Sequence, residues 1–287
     1  MKLILVHGRS QGGKDAKALK QEWIAALDRG LTAANAKLPL GVEIEFPYYG
    51  DTLDRLVEET ETPLGHDVLA RGAEGDSDDG FRKELLLELA HGAGITDAQV
   101  EAELESNVRK RGPLNWEWVQ GVLKAVDRVP GLSSTAVDFF TRDVYVYLSF
   151  PGVRRAIDKI VNDSLGAGPC VVLAHSLGTV VAYNVLCARP AAPRYPRFIT
   201  VGSPLAVSAI KKRLESPLRS PRCVGHWFNA YDERDVVALR ALDAKNFPVT
   251  PAIENKRDVR NHTDNRHGID GYLSDPVVAK KIAELLS

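Results

Sequence analysis

Apolar residues along this chain fall into two patterns. Residues 3–6, 170–173 and 198–201 are short apolar runs, and residues 224–230 form a comparable segment. Runs of this length read as strands, and the unbroken one at 3–6 as a strand covered on both faces. Residues 42–46 (Val42, Glu43, Ile44, Glu45, Phe46) alternate instead, as a strand nearer a sheet edge does. Longer stretches repeat at helical spacing, the first at about 15–36 with Leu19, Trp23, Ala26 and Leu27 along one side. Strand and helix succeed one another, which is the grammar of an α/β protein with a mostly parallel sheet flanked by helices. The last clear strand is the one at 224–230.

The alternation lapses between residues 51 and 135. This block has no β-branched runs, only helical patterns separated by Gly- and Asp-rich breaks, and residues 71–80 read as an exposed loop. Phe81, Leu85 and Leu89 share one helix face. Thr96 with Gln99 forms a capping box, Ile95 can staple onto Val100, and Leu104 and Val108 continue that face. A third helix from about 115 carries Trp116, Trp118, Val119, Val122, Leu123 and Val126. The block reads as an all-helical insertion at 51–135 within one domain spanning 1–287. Residues 137–148 suit either a helix or a strand, with helix preferred, and a second helix follows Pro151. Asp275 and Pro276, cap and first-turn proline, open a closing helix with Val278, Ile282, Leu285 and Leu286 inward.

Candidate chemistry centres on Ala174-His175-Ser176-Leu177-Gly178, set between an apolar strand and a helical pattern. A serine at such a turn stands clear of the sheet, and the residues two before and two after it must be small because strand and helix nearly touch there. A serine hydroxyl needs a base to take its proton, and the base needs an acid to hold its tautomer. Downstream of the strand at 224–230 lie Asp232 and Asp235. Asp235, just before the returning Val236-Val237, is the favoured acid, while Asp232 suits an Asx turn. His262 and His267 follow on a polar, glycine-bearing stretch. His267 is nearer the anchoring Tyr272-Leu273 and is the favoured base. His175 is not, because neighbours on such a turn point apart. Backbone N–H groups of Leu177 and Arg9 are the candidate oxyanion donors, and His7 reads as a structural hydrogen-bonder.

A rival motif overlaps the first turn. Residues 8–14 (Gly8, Arg9, Ser10, Gln11, Gly12, Gly13, Lys14) match a phosphate-binding loop, but Asp15 stands where a hydroxyl would ligate magnesium, and a carboxylate there repels phosphate. The net charge of −1 argues against a dedicated nucleic-acid binder. Cys170, Cys187 and Cys223 lack metal-like spacing and read as small buried hydrophobes of a reducing compartment. Residues 1–8 are too short for a signal peptide, and no stretch reaches the length of a membrane span. The expected location is therefore the cytoplasm.

These residues resemble the α/β-hydrolase superfamily, in particular bacterial serine esterases and lipases with an Ala-His-Ser-Leu-Gly elbow, over residues 1–50 and 141–287. The resemblance implies a triad of Ser176, Asp235 and His267 acting on carboxylic esters through an acyl-enzyme, without metal or cofactor. It implies that the insertion is a cap, that Trp116 and Trp118 line an acyl pocket, and that the substrate is a small or lipid-like ester. Core packing of a helical bundle is the other reading of the two tryptophans, and transient membrane-surface contact through the cap is a further expectation. The same superfamily holds thioesterases, acyltransferases and binding proteins that have lost catalysis.

Overall fold

The computed structural model describes residues 1–9, 11–62, 79–104, 116–166, 168–192, 195–284 and 286, with backbone only at 79 and 116–118. Strand β1 (Lys2–Val6) leads to helix α1 (Ala16–Ala33), edge strand β2 (Glu43–Glu45) and helix α2 (Gly50–Thr60). Four more helices follow without a described strand between them: α3 (Asp79–Gly92), α4 (Asp97–Ala102), α5 (Trp116–Asp127) and α6 (Ser134–Ser149). Helix α7 (Pro151–Leu165) then returns the chain to β3 (Cys170–His175) and α8 (Leu177–Cys187). Strand β4 (Tyr195–Val201), the short α9 (Ser208–Lys211), β5 (Val224–Ala230) and β6 (Glu254–Lys256) complete the sheet. Helices α10 (Ile269–Leu273) and α11 (Pro276–Ala283) close the described chain.

The six strands pair in the order β2-β1-β3-β4-β5-β6, every pair parallel. Successive strand side chains point to opposite faces, and both faces are covered. Leu3, Leu5, Leu173, Ile199 and Phe228 pack with Trp23 and Leu27 of α1, Tyr272 of α10 and Ile282 of α11. Ile4, Val6, Val172, Ala174 and Phe198 face the other way, into one continuous apolar cluster with α2, α7, α8 and the described helices of the 50–149 stretch. Burial on both sides is why these strands read as unbroken apolar runs. Phe81, Leu85, Leu89 and Val100 are buried in that same cluster, so the helical stretch shares its core with the sheet.

Local signals fix many boundaries. Asp15 caps α1 through Lys17 N–H (2.7 Å) and Ala18 N–H (2.9 Å), and the helix ends at Ala33, short of the expected residue 36. Both halves of the Thr96–Gln99 capping box are present. Residues 134–149 are helical, with Val137, Phe140 and Val144 buried. Two expectations need correction. Strand β6 follows β5, so residues 224–230 are not the last strand; its three half-buried residues Glu254, Asn255 and Lys256 lack any apolar alternation. Helix α4 ends at Ala102, so Leu104 is buried beyond it rather than on its face. Val108 and residues 71–78 lie outside the described residues. No described helix is long and apolar enough to cross a membrane.

Parallel strands aim all their C-terminal ends at one edge, where ligands of open α/β sheets bind. Residues 8–9, Ser176, Ser203 and residues 231–237 gather there. A close backbone approach lies at Gly178: a Cβ would collide with the His7 carbonyl oxygen and sit 2.7 Å from that of Val6. Neither carbonyl belongs to a side chain that could swing away. Gly178→Ala is therefore expected to destabilise the protein by about 3 kcal/mol. Urea unfolding checks this, and an unchanged midpoint would mean that α8 and β1 are not packed this closely.

Candidate active site

The strand-to-helix turn puts Ser176 at φ 56°, ψ −131°. This conformation costs a residue with a side chain of order 1–3 kcal/mol and persists only where the surroundings impose it. Here Ser176 N–H donates to Val201 O (3.2 Å), and the Ser176 carbonyl accepts from Thr179 N–H (2.9 Å) and from Thr179 Oγ1 (2.7 Å). Gly8 backs onto the serine so closely that a Cβ would lie 2.8 Å from Ser176 Cβ. The serine is consequently buried apart from its hydroxyl edge, at 2% exposure.

Ser176 Oγ lies 2.8 Å from His267 Nε2, and His267 Nδ1 lies 2.7 Å from Asp235 Oδ2. The Asp235 side chain is wholly buried, and burying a carboxylate is costly unless it is hydrogen-bonded. Tyr272 donates its hydroxyl to Oδ2 (2.6 Å) and Val237 its N–H to Oδ1 (2.9 Å). An anionic Asp235 fixes the proton of His267 on Nδ1, which leaves Nε2 as the acceptor facing the serine. The His267 carbonyl in turn accepts from His175 Nε2 (2.8 Å), and its N–H donates to Asn265 Oδ1 (3.1 Å). His175, adjacent to the serine, thus holds the backbone of the opposite loop.

The competing residues take other places. Asp232 forms the Asx turn, accepting from Arg234 N–H (2.9 Å), and its Oδ2 accepts from Arg234 Nη2 (2.8 Å) and Asn261 N–H (2.9 Å). Burial pushes its carboxyl up, but these hydrogen bonds outweigh that and hold it below the usual range. It ties the loop carrying Asp235 to the loop carrying His267. His262 is exposed, its Nε2 3.8 Å from Asp270 Oδ2. Arg9 and Leu177 flank the serine, Leu177 as the first residue of α8, where N–H groups lack intrahelical partners. The side chains of Trp116 and Trp118 lie outside the described residues. Among the described residues, the apolar cavity beside the site is lined by Leu89, Leu132, Val137, Phe140, Val236 and Val237. The sequence reading passed over Tyr272, His175 and Asn261 as parts of this network. Tyr272 and His175 each adjoin an apolar residue, Leu273 and Ala174, while Asn261 stands between Arg260 and His262 with no such mark.

The first turn is filled by protein groups. The Asp15 carboxylate occupies the N-terminus of α1, and Gly13 N–H donates to Asp51 Oδ1 (2.7 Å). Two carboxylates where a phosphate would sit weigh against the phosphate-loop reading. Among the described residues no group of three His, Cys, Asp or Glu side chains is arranged to hold a metal ion.

His7 is buried between Tyr49 and Phe46. Its Nδ1 donates to Gly8 O (2.6 Å) and its Nε2 accepts from Tyr49 N–H (3.0 Å), so the ring is neutral. Burial lowers its pKa to about 4, and burial likewise drives His175 well down. Between about 6.5 and about 4 the unfolded chain binds a proton at His7 that the folded chain refuses. Stability therefore falls as pH drops through that window, by about 3 kcal/mol for His7 alone. Urea unfolding at pH 7 and pH 4.5 should show the loss, and His7→Gln should lose less over the same interval. Equal losses would mean that His7 does not set the acid sensitivity.

No protein-family model matches this chain, and no curated protein matches it.

Proposed function

We propose that the protein is a serine-dependent carboxylic ester hydrolase of the α/β-hydrolase type, with Ser176 as nucleophile, His267 as base and Asp235 as the orienting acid. One observation carries this reading: the unbroken hydrogen-bond chain Ser176 Oγ–His267–Asp235, with distances of 2.8 and 2.7 Å. The chain order Ser, Asp, His and the placement of all three beyond strand ends support it. The helical stretch 51–135 is read as the cap over the serine, in keeping with the part Leu89 of α3, Leu132 and Ser133 take in lining the apolar cavity.

In this mechanism Ser176 Oγ attacks the ester carbonyl carbon as its proton passes to His267 Nε2. Negative charge gathers on the carbonyl oxygen, where the Leu177 and Arg9 N–H groups receive it. The tetrahedral adduct collapses by breaking the bond to the alcohol oxygen, which takes the proton from Nε2 and leaves. Water then attacks the acyl-enzyme, giving a proton to the same nitrogen. Collapse of the second adduct releases the acid, and Ser176 recovers its proton. Asp235 stays ionised throughout and stabilises the imidazolium in both halves.

Ser176→Ala and His267→Ala should each lower kcat on a short activated ester by roughly four to six powers of ten, against a few-fold at most for His262→Ala. Asp235→Asn keeps the shape but removes the charge, and should lower kcat by about four powers of ten. Asp232→Asn should cost little in kcat and about 1 kcal/mol in stability, through its weakened loop tie. Parallel rate and unfolding measurements separate these roles. An active Asp235→Asn beside an inactive, folded Asp232→Asn would reverse the acid assignment, and an active Ser176→Ala would end the serine-hydrolase reading.

A further inference from the structure

His267, hydrogen-bonded to Ser176, stands between two cavities of opposite character. One, of 240 Å³, lies on the α1 side and is bordered by Gln11, Lys14, Glu22, Trp23 and Ser176. The other, of 80 Å³, lies toward the helical stretch, with Leu89, Leu132, Val137, Phe140 and Val237 among its walls. Arg9, Asn265 and His267 border both. Arg9 stands at the divide, its Nη2 donating to the Ala136 carbonyl (2.6 Å) at the start of α6. Away from this mouth the only polar side chain among the described residues lining the small cavity is Ser133, whose hydroxyl caps α6 by accepting from Ala136 N–H. The rest of that described lining is apolar. The larger one offers an amide, an ammonium and a carboxylate beside the Trp23 ring; Lys14 and Glu22 carry opposite charges, and the Arg9 guanidinium at the divide interacts with the Asp143 carboxylate. A rim of that kind suits hydroxyl groups better than an ionised group.

Resting on the hydrolase reading above, we propose that the substrate is an ester of a short-to-medium saturated acyl chain with a neutral polyhydroxy alcohol. The acyl chain lies in the small apolar cavity and the alcohol in the larger polar one. The two halves of the reaction set this direction. The acyl group stays on Ser176 while water must reach its carbonyl carbon, so the departing alcohol has to vacate the side from which water enters. The larger, polar cavity is that side. At about 10–15 Å³ per water-sized group, 80 Å³ holds roughly five to eight such groups. The matching chain is of about five to eight carbons.

The test uses the full chain and two ester series, 1-monoacylglycerols and n-propyl esters of the same acids, from acetate through hexanoate and octanoate to dodecanoate. Propyl differs from glyceryl only by its two missing hydroxyls. kcat/KM should rise by up to about fourfold per methylene, peak near hexanoate to octanoate, and fall at dodecanoate. Glyceryl hexanoate should exceed propyl hexanoate by at least tenfold, and Glu22→Ala should narrow that ratio several-fold. Val137→Phe should lower the hexanoate-to-acetate ratio by tenfold or more. Leu132→Phe, on a less buried wall, gives the same readout should Val137→Phe fail to fold. A preference that climbs through dodecanoate or peaks at acetate would overturn the assignment, as would propyl esters hydrolysed as well as glyceryl ones. If such turnover is lost in Ser176→Ala, only the substrate assignment falls. Turnover that survives Ser176→Ala, or none on any ester, counts against the hydrolase reading and this inference together.

Discussion

Two backbones touch at the turn around Ser176. Gly178 lies against the carbonyls of His7 and Val6, and Gly8 lies against Ser176 itself. The turn after β1 and the first turn of α8 are thereby locked together, and the serine is left in a left-handed conformation that nothing in its own side chain favours. His7 extends the lock outward. As a neutral ring it hydrogen-bonds Gly8 on one side and Tyr49 on the other, so the approach to the serine is braced from β1 to the start of α2. A charged imidazole there would lose its acceptor nitrogen and be stranded without solvent. The stability of the fold in acid and the geometry of the serine therefore share one cause.

His267 and Asp235 arrive on separate loops, and buried polar groups hold them in register. Asp235 tolerates full burial because His267, Tyr272 and Val237 all donate to it. Tyr272 also accepts from Asp232 N–H (3.3 Å), and Asp232 accepts from Asn261 N–H, so the acid loop, the histidine loop and α10 form one network. Asn261 Nδ2 then reaches Gly268 O (2.8 Å), just past the histidine. Such a network is rigid when every member is satisfied and fragile when one is removed. Changes at Asn261 or Tyr272 should accordingly be felt at the imidazole without touching it.

Much of this was legible in the chain because it is local. The apolar runs at 3–6 and 170–173 announce strands buried on both faces. Thr96 with Gln99, and Asp275 with Pro276, mark helix starts, and the small residues around Ser176 mark the turn. The order of Ser176, Asp235 and His267 was likewise readable. What escaped is not local. Strand β6 is three polar residues that become a strand only because β5 offers an edge to pair with. Tyr272 and His175 act across 37 and 92 residues of sequence, separations over which no pattern in one segment reports on the other. The apolar cavity draws Leu89, Val137 and Val236 from separate segments, a convergence that no single stretch of sequence reports.

The central claim is that the Ser176 hydroxyl is activated by His267 for covalent attack. The direct measurement is to treat the folded protein with a fluorophosphonate and locate the adduct by peptide mass spectrometry, in parallel with His267→Ala. The account predicts a single adduct on Ser176 in the unmutated protein and its near absence in the variant. A folded protein left unlabelled, or labelled equally in both, would contradict it.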